Sequence, residues 1–261
     1  RPWAGRGWQI ARLAAVLAVV LAAAYHGAAL VLSAEALTVT RLAVSGNVRM
    51  SRGEVVALLD GLRGRNMVTV DLETWRRRLR SSPWVADAIV RRVLPGTIAV
   101  AIAEREPIGI GRLGADLYLV DARGSIIDQF GPNYAELDLP VIDGLAAAPR
   151  DGAALVDEPR AALAARLLAE LEPRPDLAGR VSQIDVSDVR DAVVLLKDDT
   201  AFLRLGDEQF TDRLQSYIDL APALRERVDG IDTVDLRFDE RIYVRPHARG
   251  DGPWRRRGGG N

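Results

Sequence analysis

Three pairs of adjacent carboxylates, one glycine-rich motif and two histidines are the residues of this chain whose types and spacing could do chemistry. Asp198/Asp199, Asp207/Glu208 and Asp239/Glu240 invite acid–base catalysis of the glycosidase kind. That chemistry needs two carboxyls facing each other across a cleft, about 5–9 Å apart. Neighbours on a strand point to opposite faces, and all three pairs fall at turn-like positions, so solvated turn residues are the expectation. Residues 109–114 read Gly-Ile-Gly-Arg-Leu-Gly. This pattern cradles a pyrophosphate only between a strand and a helix N-terminus. Here it lies between two strand-like runs, which predicts a glycine-rich turn. His26 falls in an apolar run and His247 near the chain end, so neither a histidine-based triad nor a histidine-held metal is expected. With no cysteine in the chain, a disulfide framework and thiolate zinc sites are excluded. The expectation is a non-enzymatic protein with no cofactor, no metal and no small-molecule substrate.

Leu13 to Leu32 is a 20-residue run of Ala, Val and Leu, interrupted only by Tyr25, His26 and Gly27. A helix of about 20 apolar residues spans the ~30 Å hydrocarbon core of a bilayer. Ala34-Glu35-Ala36 has the small-x-small look of a signal cleavage site, but signal cores run to about 7–15 residues, so length favours a retained anchor. Arg1, Arg6 and Arg12 precede the run without an acidic residue among them. Basic residues near a span favour the cytoplasmic side. The expected topology is a cytoplasmic N-terminus, one crossing of the inner membrane, and an extracytoplasmic remainder. With 35 basic and 36 acidic residues the chain shows no general nucleic-acid footprint, which would need a clustered basic face.

The patterning after the anchor places the motifs. Leu42 and Val44 alternate as a strand that Gly46-Asn47 ends. Ser51 and Glu54 have capping-box spacing, and Val55, Val56, Leu58, Leu59 and Leu62 follow as a helical stripe. Asp71 can cap a second helix, with Leu72, Trp75 and Leu79 on one face and Arg76, Arg77, Arg78 and Arg80 on another. That basic face reads either as solvated or as a contact for anionic headgroups or an acidic partner. Pro83 ends the helix. Val85–Val93 and a return strand through Ile98, Val100 and Ile102 flank Leu94-Pro95-Gly96-Thr97, a sequence suited to a type II turn. A βααββ unit follows from this order. From Pro107 onward, short strands alternate with two amphipathic helices, Pro159–Leu171 and Phe210–Leu224, and the last strands are Thr233–Phe238 and Arg241–Arg245.

Val44-Ser45-Gly46-Asn47, Val70-Asp71-Leu72, Ser82-Pro83-Trp84-Val85 and Arg91-Arg92-Val93-Leu94-Pro95-Gly96-Thr97 are followed in order by Glu104-Arg105-Glu106-Pro107, Val120-Asp121-Ala122-Arg123-Gly124 and Val234-Asp235-Leu236-Arg237-Phe238. In these pieces the chain resembles the FtsQ/DivIB cell-division proteins. The resemblance implies an α+β chain with a single N-terminal transmembrane helix, a βααββ POTRA domain, and a mixed β-sheet domain with two packed helices. The expected boundaries are a cytoplasmic N-terminus at 1–12, the transmembrane helix at 13–33, POTRA at 37–106, the β-domain at 107–247 and a disordered Gly/Arg-rich tail at 248–261. It also implies a divisome scaffold that recruits FtsB- and FtsL-type partners by strand addition near its C-terminus. The alternative is a POTRA-type chaperone or transport accessory protein.

An open sheet edge templates another chain, and strand addition is a recurring binding mode. Val234, Leu236 and Phe238 share a face expected to be core, with Thr233, Asp235 and Arg237 outward. The expected partner edge is Arg241, Ile242, Tyr243, Val244 and Arg245. Arg237 would offer a charged hydrogen bond, and Phe238 or Tyr243 an apolar anchor. After Phe238 the chain departs from relatives that carry small residues and a later Trp. A possible second edge carries Arg91 and Arg92.

Overall fold

The computed structural model describes residues 3–32, 37–145, 156–228, 230–238 and 241–246. The cleavage-like Ala34-Glu35-Ala36, the expected loop at 146–152, the tail at 248–261, His247, and the Asp239/Glu240 pair lie outside the described residues. The chain divides into two compact units, Arg1–Glu104 and Arg105–Asn261.

The first unit begins with α1 (Trp3–Leu32). The apolar side chains described in it are exposed, from 56 % at Val20 to 72 % at Tyr25. Among the described residues no helix is long and apolar enough to cross a membrane.

There follow β1 (Arg41–Ser45), α2 (Arg52–Leu58), α3 (Leu72–Arg80), β2 (Val85–Val93) and β3 (Thr97–Glu104). The strand order is β1-β3-β2, with β1 parallel and β2 antiparallel to β3. The Ser51–Glu54 capping box starts α2, because each side chain takes the other's orphan backbone N–H. Leu42, Val55, Leu59, Met67, Leu79, Ile98 and Val100 close the core between the helices and one sheet face. Gly46 sits at φ +80°, where a Cβ would come within 2.1 Å of the Ile102 carbonyl oxygen, so only glycine fits there. The next turn is held by Glu104, whose carboxylate accepts N–H bonds from Val48 (3.0 Å), Arg49 (2.8 Å) and Met50 (2.9 Å). Gly96 sits at φ +154° rather than the roughly +80° that a type II turn needs at that position, and the Leu94–Pro95 peptide bond is cis.

The second unit is one nine-stranded sheet. Its strands are β4 (Pro107–Leu113), β5 (Asp116–Asp121), β6 (Ile126–Gln129), β7 (Val141–Asp143), β8 (Val181–Asp188), β9 (Asp191–Leu196), β10 (Phe202–Gly206), β11 (Ile231–Asp235) and β12 (Tyr243–Pro246). They run β12-β11-β10-β9-β8-β7-β4-β5-β6 across the sheet. The long helices α4 (Glu158–Leu171) and α6 (Phe210–Arg227), with short α5 (Pro175–Ala178) between them, pack on the sheet. Leu163, Leu167 and Leu171 of α4 and Phe210, Leu214 and Tyr217 of α6 meet Ile184, Val194 and Leu203 there.

The glycine-rich motif lies in β4 and the turn into β5. A Cβ at Gly109 would strike Ile142 at 2.4 Å and one at Gly111 would strike Val120 and Leu145 at 2.9 Å. These glycines therefore let neighbouring side chains pass close to the strand. Asp199, expected as a solvated turn residue, is instead nearly enclosed. It accepts the Tyr217 hydroxyl at 2.5 Å and an Arg225 N–H at 2.9 Å, tying the β9–β10 hairpin to α6. Burial opposes its ionisation, but the hydrogen bonds outweigh burial and hold its carboxyl below the usual range.

Among residues 37–246 the only tryptophans are Trp75 and Trp84, both in the first unit. Glu104→Ala removes three acceptor contacts at once and is expected to lower that unit's unfolding temperature by about 4–8 °C, read by tryptophan fluorescence of the full chain. An unchanged transition would show that the 48–50 turn holds itself.

Candidate protein-interaction edge

β12 ends the large sheet. Among the described residues it pairs on one side only, antiparallel to β11, with Asp235 opposite Tyr243, Val234 opposite Val244 and Thr233 opposite Arg245. Its alternation decides what it presents. Val244 and the preceding Ile242 pack against the core, while Tyr243 is 54 % exposed and Arg241 and Arg245 are exposed. The last strands are shorter than the sequence pattern suggests: β11 stops at Asp235 and β12 starts at Tyr243.

The segment between them departs from expectation at two residues. Leu236 turns inward and is 4 % exposed. Phe238, expected beside it in the core, is 51 % exposed and meets the Tyr243 ring edge-on at 5.3 Å between centroids. The reason is that the strand has ended, so period-2 alternation no longer applies. Arg237, expected to face outward and free, is engaged within the chain. It grips the Asp235 carboxylate through Nε (2.9 Å) and Nη2 (2.6 Å). Its guanidinium also lies 3.5 Å from Asp191 and 5.9 Å from the centre of the Phe238 ring.

Asp191 is the hub of this arrangement. It is 3 % exposed, accepts two N–H groups of Arg204, from Nε at 2.7 Å and from Nη2, and accepts the Gly206 N–H at 3.1 Å. Gly206, at φ +76°, leaves room for Arg237, whose Cγ would lie 3.3 Å from a Cβ there. Asp191 and Arg204 face each other across one hairpin, but nothing local in the sequence marks them as partners. The hydrogen bonds from Arg237, working against burial, hold Asp235 below the usual carboxylate range. Beside the edge lies a recess of about 250 Å³, whose walls include Leu236, Phe238 and Ile242. Gln209 at its rim takes the left-handed backbone conformation, φ +56°.

The second expected edge, β2, ends the three-stranded sheet. Its arginines part company. Arg92 donates to the carbonyl oxygens of Met67 and, at 2.6 Å, Val70, so it braces the loop before α3. Arg91 is exposed on the opposite face. The basic side of α3 is also largely occupied. Arg76 binds Asp87 at 3.0 Å and the Ala88 carbonyl at 2.9 Å, Arg77 binds Thr74, and Arg78 lies over the Trp75 ring. Among the described residues no group of three His, Cys, Asp or Glu side chains is placed to hold a metal ion.

A βααββ unit followed by a mixed sheet with helices packed on one face defines the class: an α+β protein with a POTRA domain. Residues 37–105 match the FtsQ-type POTRA domain, and residues 111–237 match the C-terminal domain of cell division protein FtsQ/DivIB. The chain is 32 % identical over 214 residues to the cell division protein FtsQ of Koribacter versatilis, covering 78 % of this chain and 59 % of that one. It is 31 % identical over 257 residues to FtsQ of Syntrophotalea carbinolica, covering 95 % and 88 %. Among solved structures it is similar to the major extracytoplasmic domain of the trans isomer of the bacterial cell division protein DivIB from Geobacillus stearothermophilus. The identity there is 22 % and the TM-score 0.32, over 49 % of this chain and 99 % of that one. The chain belongs to the FtsQ/DivIB family of bacterial cell-division proteins.

Two predictions follow from the Asp191 hub. Asp191→Ala leaves Arg204, itself 38 % exposed, without its acceptor and is expected to cost about 2 kcal/mol, the scale of hydrogen bonds to a charged group, in denaturant unfolding. Asp235 has a depressed carboxyl, so its contribution is present above the ordinary carboxylate value and lost as pH falls below about 4. Arg237→Met is therefore expected to be destabilised at pH 7 and to lose less further stability between pH 6 and 3 than wild type. Parallel acid-unfolding curves for the two proteins would exclude that coupling.

Proposed function

We propose that this protein is a non-enzymatic, membrane-anchored scaffold of the bacterial divisome that recruits FtsB- and FtsL-type partners by accepting a strand at β12. The observation that carries the reading is a last strand whose backbone, among the described residues, is paired on one side only. Unpaired N–H and C=O groups along such an edge form a ready template for another chain. Short length, a proline at its end and exposed Arg241 and Arg245 are the devices that keep an edge from pairing indiscriminately. Charge of one sign also favours a partner strand with acidic residues at its flanks.

In this reading the contact residues are Arg241, Ile242, Tyr243, Val244 and Arg245, with Phe238 stacked against Tyr243 as the apolar anchor. Arg237 supports the corner from behind through Asp235 and Asp191, and its guanidinium keeps one side toward solvent. Membrane anchoring rests on α1. Its exposed Leu13, Val16, Leu17, Val20 and Leu21 would leave a long apolar surface in water, whereas a bilayer covers it. With Arg12 and the arginines before it on the cytoplasmic side, the two folded units lie outside the inner membrane. POTRA, spanning 37–106, and the β-domain, spanning 107–247, then act as separate recognition units.

Successive N–H groups of a strand point to opposite edges. Of Tyr243→Pro and Val244→Pro, one therefore removes a donor from the open edge and the other from the β11 ladder. The Leu236 N–H donates to the Arg204 carbonyl on β10, so Asp235 faces β12 and its partner Tyr243 faces back, which leaves the Val244 N–H on the open edge. Val244→Pro is expected to abolish binding of the extracytoplasmic segment of an FtsB-type partner with unchanged thermal stability, and Tyr243→Pro to lower the unfolding temperature. Binding measured by calorimetry that survives both substitutions would overturn strand addition.

A further inference from the structure

The sheet of the first unit has helices on one face only, and register maps what the other face carries. Rows across it read Arg41–Thr97–Val93, Ala43–Ala99–Arg91 and Ser45–Ala101–Ile89, with Ala103 and Asp87 beyond. The middle strand offers only small side chains. The flanking strand ends in an apolar tip: Leu94 is 70 % exposed, Ile89 55 % and Val93 48 %. Of the five large exposed hydrophobics between residues 37 and 104, three are here.

The charges on this face are one-sided. Its carboxylate, Asp87, is taken by Arg76 at 3.0 Å and Arg80 at 3.8 Å. Arg41 and Arg91 have no acidic partner among the described residues. Arg92 is turned away to the Met67 and Val70 carbonyls. The arginines of α3, which the sequence offered for headgroup contact, are engaged with Asp87, Thr74 and Trp75.

The path of the chain says what lies close by. The N–H groups of Thr40 and Arg41 both donate to the Gly96 carbonyl, at 2.8 and 3.1 Å, so the hairpin tip is fastened to the residues that follow α1. Seven residues, 33–39, lie between Leu32, the end of α1, and Thr40, eight Cα steps with a reach of at most about 29 Å. If α1 is in a bilayer, the tip cannot stand farther than this from its end.

We propose that the β2–β3 hairpin tip of the POTRA unit, Val93–Leu94–Pro95 with Ile89 behind it, seats in the headgroup region of an anionic phospholipid bilayer, with Arg41 and Arg91 against its phosphates. The proposal rests on the reading of α1 as membrane-embedded. A protruding apolar tip flanked by arginines, beside a middle strand of small side chains, matches a fluid interface. There apolar groups enter the acyl boundary and basic groups meet anionic lipid. Two arginines and three apolar side chains give weak attachment in isolation. Tethering through α1 makes it an intramolecular event at high effective concentration.

The chain has no cysteine, so Leu94→Cys, Asp60→Cys and Leu17→Cys each give it a single site for an environment-sensitive fluorophore. Asp60 is exposed beside α2, on the helix-covered side. The three proteins are placed in nanodiscs of phosphatidylcholine with and without phosphatidylglycerol and quenched with lipid-borne nitroxide. The expected result is strong quenching at position 94 in anionic discs, weaker quenching without phosphatidylglycerol, and none at position 60. Adding Arg41→Glu and Arg91→Glu should bring position 94 to the level of position 60 while position 17 stays quenched.

Position 94 matching position 60 in both lipids, with position 17 quenched, overturns the proposal and leaves the anchor intact. Loss of quenching at position 17 overturns the anchor reading itself. Equal quenching at 94 in both lipids, unchanged by the double substitution, overturns the role given to the arginines. Shielding of position 94 that appears only when two copies share a disc overturns lipid contact in favour of a second copy of the chain.

Discussion

Every backbone N–H and C=O in a sheet needs a partner, and the last strand has partners for only half of its groups. The rest of the second unit is arranged around that deficit at β12. The core helices fix β8 to β10 from one side, and β11 is added parallel to β10. β12 then returns antiparallel as a four-residue strip with little packing of its own. What holds the strip in place is largely polar. Asp191 collects Arg204, the Gly206 N–H and Arg237, and Arg237 in turn grips Asp235, the residue opposite Tyr243. A buried network of this sort contributes little net stability but strongly favours one geometry over others. In the role proposed for β12, acceptance of a strand in register, that selectivity matters more than stability.

The first unit was largely legible because its signals are local. A capping box at Ser51–Glu54, a proline after α3 and alternation through Ile98, Val100 and Ile102 each fix an element within a few residues, and parallel pairing of β1 with β3 completes the βααββ order. The second unit was legible in its helices and hairpins but not in its sheet order. β7 carries three residues, too few for a periodic signal, although it joins β4 to β8. The ends of β11 and β12 were misjudged for a related reason. Alternation continues through Phe238 in the sequence, but the β11 strand ends at Asp235 and the last bond to β10 is that of the Leu236 N–H to the Arg204 carbonyl.

The roles of the charged residues were the least legible. Arg92 and Arg237 look free in the sequence because their acceptors are remote or are backbone carbonyls. Met67 and Val70 lie more than twenty residues from Arg92, and Asp191 lies across the sheet from Arg237. Asp199 looked like a hairpin-tip residue in water and is instead clamped by Tyr217 and Arg225 from a helix that follows it. In each case the pattern of residue types gives the charge, and only the fold gives the partner.

The three-residue strand β7 has a further consequence. It is the seam between a three-stranded meander, β4 to β6, and the five strands from β8 to β12, and only two residue pairs join it to β4. Most of the helix packing lies on the five-strand side. The two panels share one core, since Leu113 and Val120 of the meander lie in the cluster formed with the helices, but the seam between them carries few ladder bonds, and local opening starts where packing and pairing are thinnest. A ligand at β12 therefore stabilises the five-strand panel most directly, and the β4–β6 meander least.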